Sequence, residues 1–299
     1  MLSKSQLLRE KLQSKSILKV GGAFDAMSAK LVEIHGFDAI WASSFAISAT
    51  HALPDASIMT MTEFLTVASS MADACEIPVI ADCDTGFGGP SNVSHMVKKY
   101  ENAGIAAISI EDKIFPKQNS LLEDGKQELL PEKDFVAKII AATEVKKSSD
   151  FMIIARIEAL IAERGMNEAL KRANAYEKAG ADAILIHSKK NTSDEIFEFC
   201  GSWQGHVPLV VIPTSYPAVT LEELIAHRVK MVIYANQSLR ISCAAISKLL
   251  KKLSQAQSLS EIKDEMCSME DIFRLQEMYK IKKQEMNIKE NLKKLGYIS

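Results

Sequence analysis

Gly104-Ile105-Ala106-Ala107-Ile108-Ser109-Ile110-Glu111-Asp112-Lys113 is the stretch from which the fold is read. A glycine ends a helix, a tight turn follows, an apolar run occupies 106–110, and acids and a lysine stand where the run stops. Gly36-Phe37-Asp38-Ala39-Ile40 and Gly180-Ala181-Asp182-Ala183-Ile184 repeat its opening. Such turns occur in any α/β protein, so the echo alone does not separate a barrel from a doubly wound sheet. Counting outward does. Short apolar or β-branched runs recur at 17–20, 39–42, 78–81, 106–110, 152–155, 183–186, 208–212 and 231–234. Helical spacing fills 26–35, 62–75, 92–102, 132–147, 167–179, 194–199 and 221–227 between them. Alternation implies parallel strands with crossover helices, and eight strands is the count that closes a (β/α)8 TIM-type barrel. No GxGxxG follows the first strand, which lowers the doubly wound alternative further.

Beyond Asn236 the chain turns almost wholly helical, apolar on one side over 239–253 and rich in Lys, Glu and Met over 258–297. We therefore expect a catalytic barrel over 1–235 and a helical segment over 236–299 that packs on the barrel or on a second subunit. The composition, 47% apolar and 25% charged with a net charge of -2, is that of a folded protein with a full core. It offers no basic field to nucleic acid or an anionic membrane, so a small-molecule partner is expected. Cys75, Cys83, Cys200, Cys243 and Cys267 are odd in number and free of CxxC spacing, which favours reduced thiols and a cytoplasmic location. Residues 1–19 are polar with alternating charge, and no run approaches membrane-spanning length, so neither export nor insertion is expected.

In a barrel the active site is built where the strands end. Here the ends read Trp41-Ala42-Ser43-Ser44, Asp82-Cys83-Asp84-Thr85-Gly86, Glu111-Asp112-Lys113, Arg156-Ile157-Glu158 and His187-Ser188. Asp82 and Asp84 alternate along an extended run and so face one way; with Glu111 they offer three carboxylates to one point. A hard cation with oxygen ligands, Mg2+ or Mn2+, resolves that repulsion. The bland reading has the two aspartates capping the following turn, which would not need two acids at a strand end. Arg156 and His187 suit an anionic substrate, against the alternative of a core histidine or an ion pair to Glu158. The run 84–90 supplies a glycine-rich loop, and the longer loops 43–61 and 113–125 have the length of water-excluding lids. Spacing alone does not single out Asp55, Lys117 or Asn119 within them.

Glu111-Asp112-Lys113-Ile114-Phe115-Pro116-Lys117-Gln118-Asn119-Ser120 resembles the EDKxFPKxNS signature of the phosphoenolpyruvate mutase family, in the phosphoenolpyruvate mutase and isocitrate lyase superfamily. Trp41 to Ser44, His51 to Asp55, Ala81 to Gly88, Ala155 to Ala159 and Gly180 to Ile184 resemble that family in the same order, so the likeness covers about 21–236. It implies interconversion of phosphoenolpyruvate and phosphonopyruvate, the C–P bond-forming step of phosphonate biosynthesis. It implies that Asp82 ligates Mg2+ directly and that Asp84 and Glu111 act mainly through bound waters. Ser43 and the amides of Ser44 and Phe45 would bind the pyruvoyl carboxylate or enolate oxygen, and Arg156 and His187 the phosphoryl or carboxylate oxygens. Asp55 would receive or steer the phosphoryl group, with Lys117, Asn119 and Ser120 in the gating loop. The resemblance also implies swapped C-terminal helices and a homo-oligomer, dimer or tetramer.

Three rivals stay open. Phosphonopyruvate hydrolase shares the scaffold but typically has threonine where Asn119 stands. A carbon–carbon lyase of the isocitrate lyase type would need a cysteine near Asn119, and none is there. A barrel that binds without turnover is disfavoured by the complete set of acids and cations.

Overall fold

The computed structural model describes residues 2–125 and 127–298. In chain order its elements are α1 (Lys4–Ser14), β1 (Leu18–Ala23), α2 (Ala26–Ile34), β2 (Ala39–Ala42), α3 (Ser44–Thr50), α4 (Met61–Ala74), β3 (Val79–Asp82), α5 (Pro90–Asn102) and β4 (Ala107–Glu111). There follow α6 (Glu132–Val145), β5 (Met152–Ile157), α7 (Gly165–Lys178), β6 (Ala183–Ile186), α8 (Asp194–Ser202), β7 (Leu209–Val211), α9 (Leu221–Ala226) and β8 (Val229–Tyr234). The chain ends in α10 (Gln237–Leu253), two 3₁₀ turns, α11 (Met269–Leu275) and α12 (Met278–Lys294). Each strand pairs in parallel with the next and β8 pairs with β1, closing the barrel. The fold is the (β/α)8 TIM-type barrel that the alternation predicts.

Strand side chains alternate between two cores, as the period of two requires. Val20, Trp41, Ile80, Ile154, Leu185, Val210 and Ile233 fill the barrel interior. Ile40, Val79, Ile108, Ile153, Ile184, Val211 and Val232 pack outward against Phe64, Met71, Tyr100, Phe135, Tyr176 and Phe199 from the helices. Leu8 and Leu12 of α1 belong to the interior core. Sequence reading found no helix in this polar segment, although Ser3 and Gln6 form a reciprocal capping box at its start.

The three echoed glycines are what they were read to be. Gly36, Gly104 and Gly180 have φ of +77, +76 and +99°. The next amides, of Phe37, Ile105 and Ala181, donate to the carbonyls of Val32, Tyr100 and Tyr176, the backbone pattern of a Schellman cap. β1 runs past its predicted end because Gly21 and Gly22 continue it; a Cβ on Gly22 would lie 2.2 Å from the Ala235 carbonyl oxygen. α3 forms within the stretch 43–61 that the sequence predicts as loop.

The chain divides into two compact units, Met1–Arg240 and Ile241–Ser299. In the second, Glu265 pairs with Lys248 and Lys252, and Ile262 is buried. Among the described residues no helix is long and apolar enough to cross a membrane.

Candidate active site

One cavity of about 260 Å³ opens at the C-terminal mouth of the barrel, lined by Trp41, Ser43, Phe45, Asp55, Asp82, Lys117, Asn119, Ser120, Arg156 and His187. These residues span sequence positions 41 to 187, and only strand ends and two loops of a closed barrel bring them together.

β3 stops at Asp82, whose Oδ2 accepts from Ser44 Oγ at 2.8 Å. Ser44 is fully buried, so its hydroxyl orients Asp82 and is not free for substrate. Ser43 caps α3, accepting from the Ala46 amide at 3.2 Å, and it lines the cavity with Phe45. The expectation that Asp82 and Asp84 share an extended run is corrected. Asp84 has φ of +49° and reaches the site through a left-handed turn, with the Gly86 amide bonded to the Cys83 carbonyl. A hairpin-like reversal, not strand alternation, turns it inward. Asp82 Oδ1 also accepts weakly from the Asp84 amide, at 3.4 Å, so a turn-capping role coexists with the site.

Lys117 reaches across from the loop after β4. Its Nζ lies 2.9 Å from Asp84 Oδ1 and 3.1 Å from Asp55 Oδ1. Asn119 Nδ2 donates to Asp55 Oδ2 at 2.7 Å. Burial pushes the Asp55 carboxyl up, but Lys117 and Asn119 overcome it and hold the group below its usual range. Burial raises Asp82, and it takes Asp84 up to about 6, with Asp82, Asp55 and Glu111 adding repulsion that Lys117 only partly offsets. The Lys117 ammonium is held above its usual range, since four carboxylates outweigh its own burial.

Arg156 and His187 form a second wall, whose cation is the guanidinium. Arg156 Nε donates to Glu158 Oε1 at 2.6 Å and lies 3.4 Å from Glu111 Oε2. Arg156 Nη2 is 3.0 Å from His187 Nδ1, which is also 3.1 Å from Glu158 Oε1. Burial and the neighbouring guanidinium lower the imidazole, so the ring is neutral near pH 7. Glu158, though fully buried, is held far below the carboxylate range by Arg156, Lys113 and His187. The ion pair weighed as an alternative role for Arg156 is therefore present, and Arg156 also lines the cavity.

Asp84 Oδ2 and Glu111 Oε1 are buried and accept no hydrogen bond among the described residues, while Asp84 Oδ1 is paired with Lys117 and Glu111 Oε2 with Arg156. Oxygen donors of this kind fit a hard divalent cation. No group of three or more His, Cys, Asp or Glu is drawn together to hold an ion directly among the described residues. The donor set thus suits an ion held by one or two carboxylates with water completing its shell, as Mg2+ prefers.

Strand-end reading missed the β7 and β8 side. Ile212, Thr214, Ala235, Asn236 and Arg240 also line the cavity, and Thr214 Oγ1 and Asn236 Oδ1 lack a hydrogen-bond partner among the described residues. The same rule, applied to the last two strands, names Thr214 and Asn236. Asp112 and Lys113 stand at the end of β4 as the strand-end rule has them, but that rule gives them no role.

The family model described as phosphoenolpyruvate phosphomutase matches residues 8–254. The chain is 44% identical to the phosphonopyruvate hydrolase of Variovorax sp. (strain Pal2) over 276 residues, 92% of this chain and 95% of that protein. The crystal structure of phosphoenolpyruvate phosphomutase from Streptomyces platensis subsp. rosaceus superimposes with a TM-score of 0.93 at 44% identity, covering 95% of this chain and 98% of that one. A phosphonopyruvate hydrolase solved in complex with oxalate and Mg++ superimposes with a TM-score of 0.90 at 41% identity, over 95% of this chain and 99% of that one. The match of sequence and barrel along nearly the whole chain makes this protein a member of the phosphoenolpyruvate phosphomutase family, an enzyme of the phosphoenolpyruvate mutase and isocitrate lyase superfamily.

Proposed function

We propose that the enzyme is a mutase that interconverts phosphoenolpyruvate and phosphonopyruvate. The bond from phosphorus to the enol oxygen breaks, the bond from phosphorus to carbon 3 forms, and no atom is gained or lost. The observation that carries this reading is the Asn119–Asp55–Lys117 cluster, in which Asp55 accepts from Asn119 Nδ2 at 2.7 Å and pairs with Lys117 at 3.1 Å. An amide and an ammonium fixed to one carboxylate give a phosphoryl group in flight a walled, polar path. Excluding water there is what separates transfer to carbon from transfer to water.

In this reading Arg156 and His187 hold the phosphoryl or carboxylate oxygens, and Ser43 with the Ser44 and Phe45 amides orients the pyruvoyl end. Asp55 steers the phosphoryl group, while Lys117 offsets its charge and Ser120 closes the lid. Asp82, with Asp84 and Glu111 behind it, would hold Mg2+, with Mn2+ as a substitute; bound there, the cation would supply positive charge to the enolate oxygen. The cytoplasm suits five cysteines that are all free thiols. The exposed apolar side chains of α10 and α12 support a homo-oligomer.

The hydrolase reading is kept because the Variovorax relative of that name is 44% identical. There water would attack phosphorus, the C–P bond would break, and carbon 3 would take the proton, giving pyruvate and phosphate. Phosphorus NMR of purified protein with Mg2+ and phosphonopyruvate decides. Phosphoenolpyruvate formed with metal and lost with EDTA supports the mutase, and inorganic phosphate with pyruvate assigns the hydrolase.

A further inference from the structure

Glu158 stands where the lid meets the anion site. Its Oε1 accepts from Arg156 Nε at 2.6 Å and lies 3.1 Å from His187 Nδ1. Its Oε2 accepts from the Ser120 hydroxyl at 2.5 Å and lies 3.3 Å from Lys113 Nζ. Lys113 Nζ donates to the Gln118 carbonyl at 2.9 Å and to Ser120 Oγ at 2.7 Å, and Arg156 Nη2 donates to the same hydroxyl at 3.0 Å. Ser120 therefore uses its single donor and both its lone pairs inside this node. Behind it, Asp112 Oδ1 accepts from the Glu158 amide at 2.8 Å, and Asp112 Oδ2 is held by Arg172 and Tyr176. Lys113 and Glu158 are 1% and 0% exposed, and neither is among the residues lining the cavity.

We propose that Lys113 and Glu158 are positioning residues that make lid closure and the setting of the Arg156–His187 pair one event. The inference rests on reading this mouth as the substrate site. Lifting the lid carries away the Ser120 hydroxyl and the Gln118 carbonyl together, so Lys113 and Glu158 lose buried partners in the same movement. Partly open states then leave charged groups short of hydrogen bonds, which disfavours them. Arg156 Nη2 loses the same hydroxyl, and with it one of the contacts that fix the guanidinium angle. A closed lid and a correctly set arginine thus come together. Neither residue touches substrate.

Thermolysin cleavage of the full-length protein at the exposed lid residues Leu121 and Leu122 reads lid opening without any substrate. Lys113→Met raises that cleavage rate roughly ten-fold, the weight of a buried hydrogen bond to a charged group, while the circular-dichroism melt stays a single cooperative transition. Ser120→Ala, cut from the lid side, does the same, and the double variant exceeds the larger single by no more than about two-fold, because both act within one hydrogen-bonded node. In turnover, Lys113→Met lowers kcat more than it raises KM. Unchanged cleavage in both single variants, or effects that multiply in the double variant, overturns the proposal. If the unsubstituted enzyme turns over neither phosphonate nor enol phosphate, the functional reading fails while the lid result stands by itself.

Discussion

A buried carboxylate is worth what surrounds it, and Asp112 shows this most plainly. Arg172 Nη1 donates to its Oδ2 at 2.9 Å and Tyr176 OH at 2.7 Å, while the Glu158 amide takes Oδ1. Arg172→Met leaves the acid buried beside only neutral donors and is expected to destabilise the fold by about 3 kcal/mol, the low end for breaking a buried pair, read by urea denaturation. A loss under roughly 1 kcal/mol would mean that the neutral donors suffice. Asn119 is the residue on which the choice of reaction turns. Threonine is too short to return the 2.7 Å contact from Asn119 Nδ2 to Asp55, so Asn119→Thr is expected to cut phosphoenolpyruvate formation roughly ten-fold and to release inorganic phosphate, both followed by phosphorus NMR. Of the site, Asp82, Glu111, Arg156 and His187 were legible because each ends an apolar run. Asp84 was found for a mistaken geometric reason, since its left-handed turn is invisible to an alternation rule. Asp55, Lys117 and Asn119 sit in loops, where no period marks a residue, and only their likeness to a family motif identified them.

Elements were legible where burial imposes a period and obscure where it does not. β2 and β6 were found to the residue because both faces of a barrel strand are buried and the run is apolar throughout. β1 was cut short because glycine disfavours strands on average, whereas here the barrel needs it. Gly22 has the Ala235 carbonyl oxygen 2.2 Å from where a Cβ would sit, and backbone cannot swing aside. Gly22→Ala is therefore expected to cost at least about 3 kcal/mol through displaced β1 and β8 backbone. Gly36→Ala, at φ of +77° with open space around it, should cost only about 1 kcal/mol. Urea midpoints measured side by side test the contrast, and equal losses would show that the close approach at Gly22 relaxes cheaply. α1 went unread for the opposite reason to β1: its buried face consists of Ser5, Leu8 and Leu12 on an otherwise polar helix.

At the scale of the molecule, the barrel accounts for nearly all the buried apolar surface, and the last helices for much of the exposed. Ile281 and Ile288 of α12 and its C-cap Leu295 recur every seventh residue, and Met278 and Leu292 fall on the adjoining seam, with exposures from 38% to 71%. Ile246 and Leu253 of α10 keep the same interval, with Leu250 beside them. A seven-residue apolar repeat is the seam by which one helix packs against another, and leaving it in water forfeits roughly 1.5 to 3 kcal/mol for each large side chain. Apart from Tyr279, Gln284 and Met286, the rest of α12 is lysine, glutamate and asparagine. A second copy of the chain is the partner always present at equal concentration, and symmetric pairing lets one seam serve twice. Light scattering of the purified protein is expected to give a multiple of the 33.0 kDa chain mass. Replacing Ile281 and Ile288 together with glutamate should return the mass to a single chain while the barrel still melts cooperatively, because neither residue contributes to the two barrel cores. A monomer before substitution would leave the seam without a partner of its own kind, and an oligomer unmoved by both charges would place the interface elsewhere on the chain.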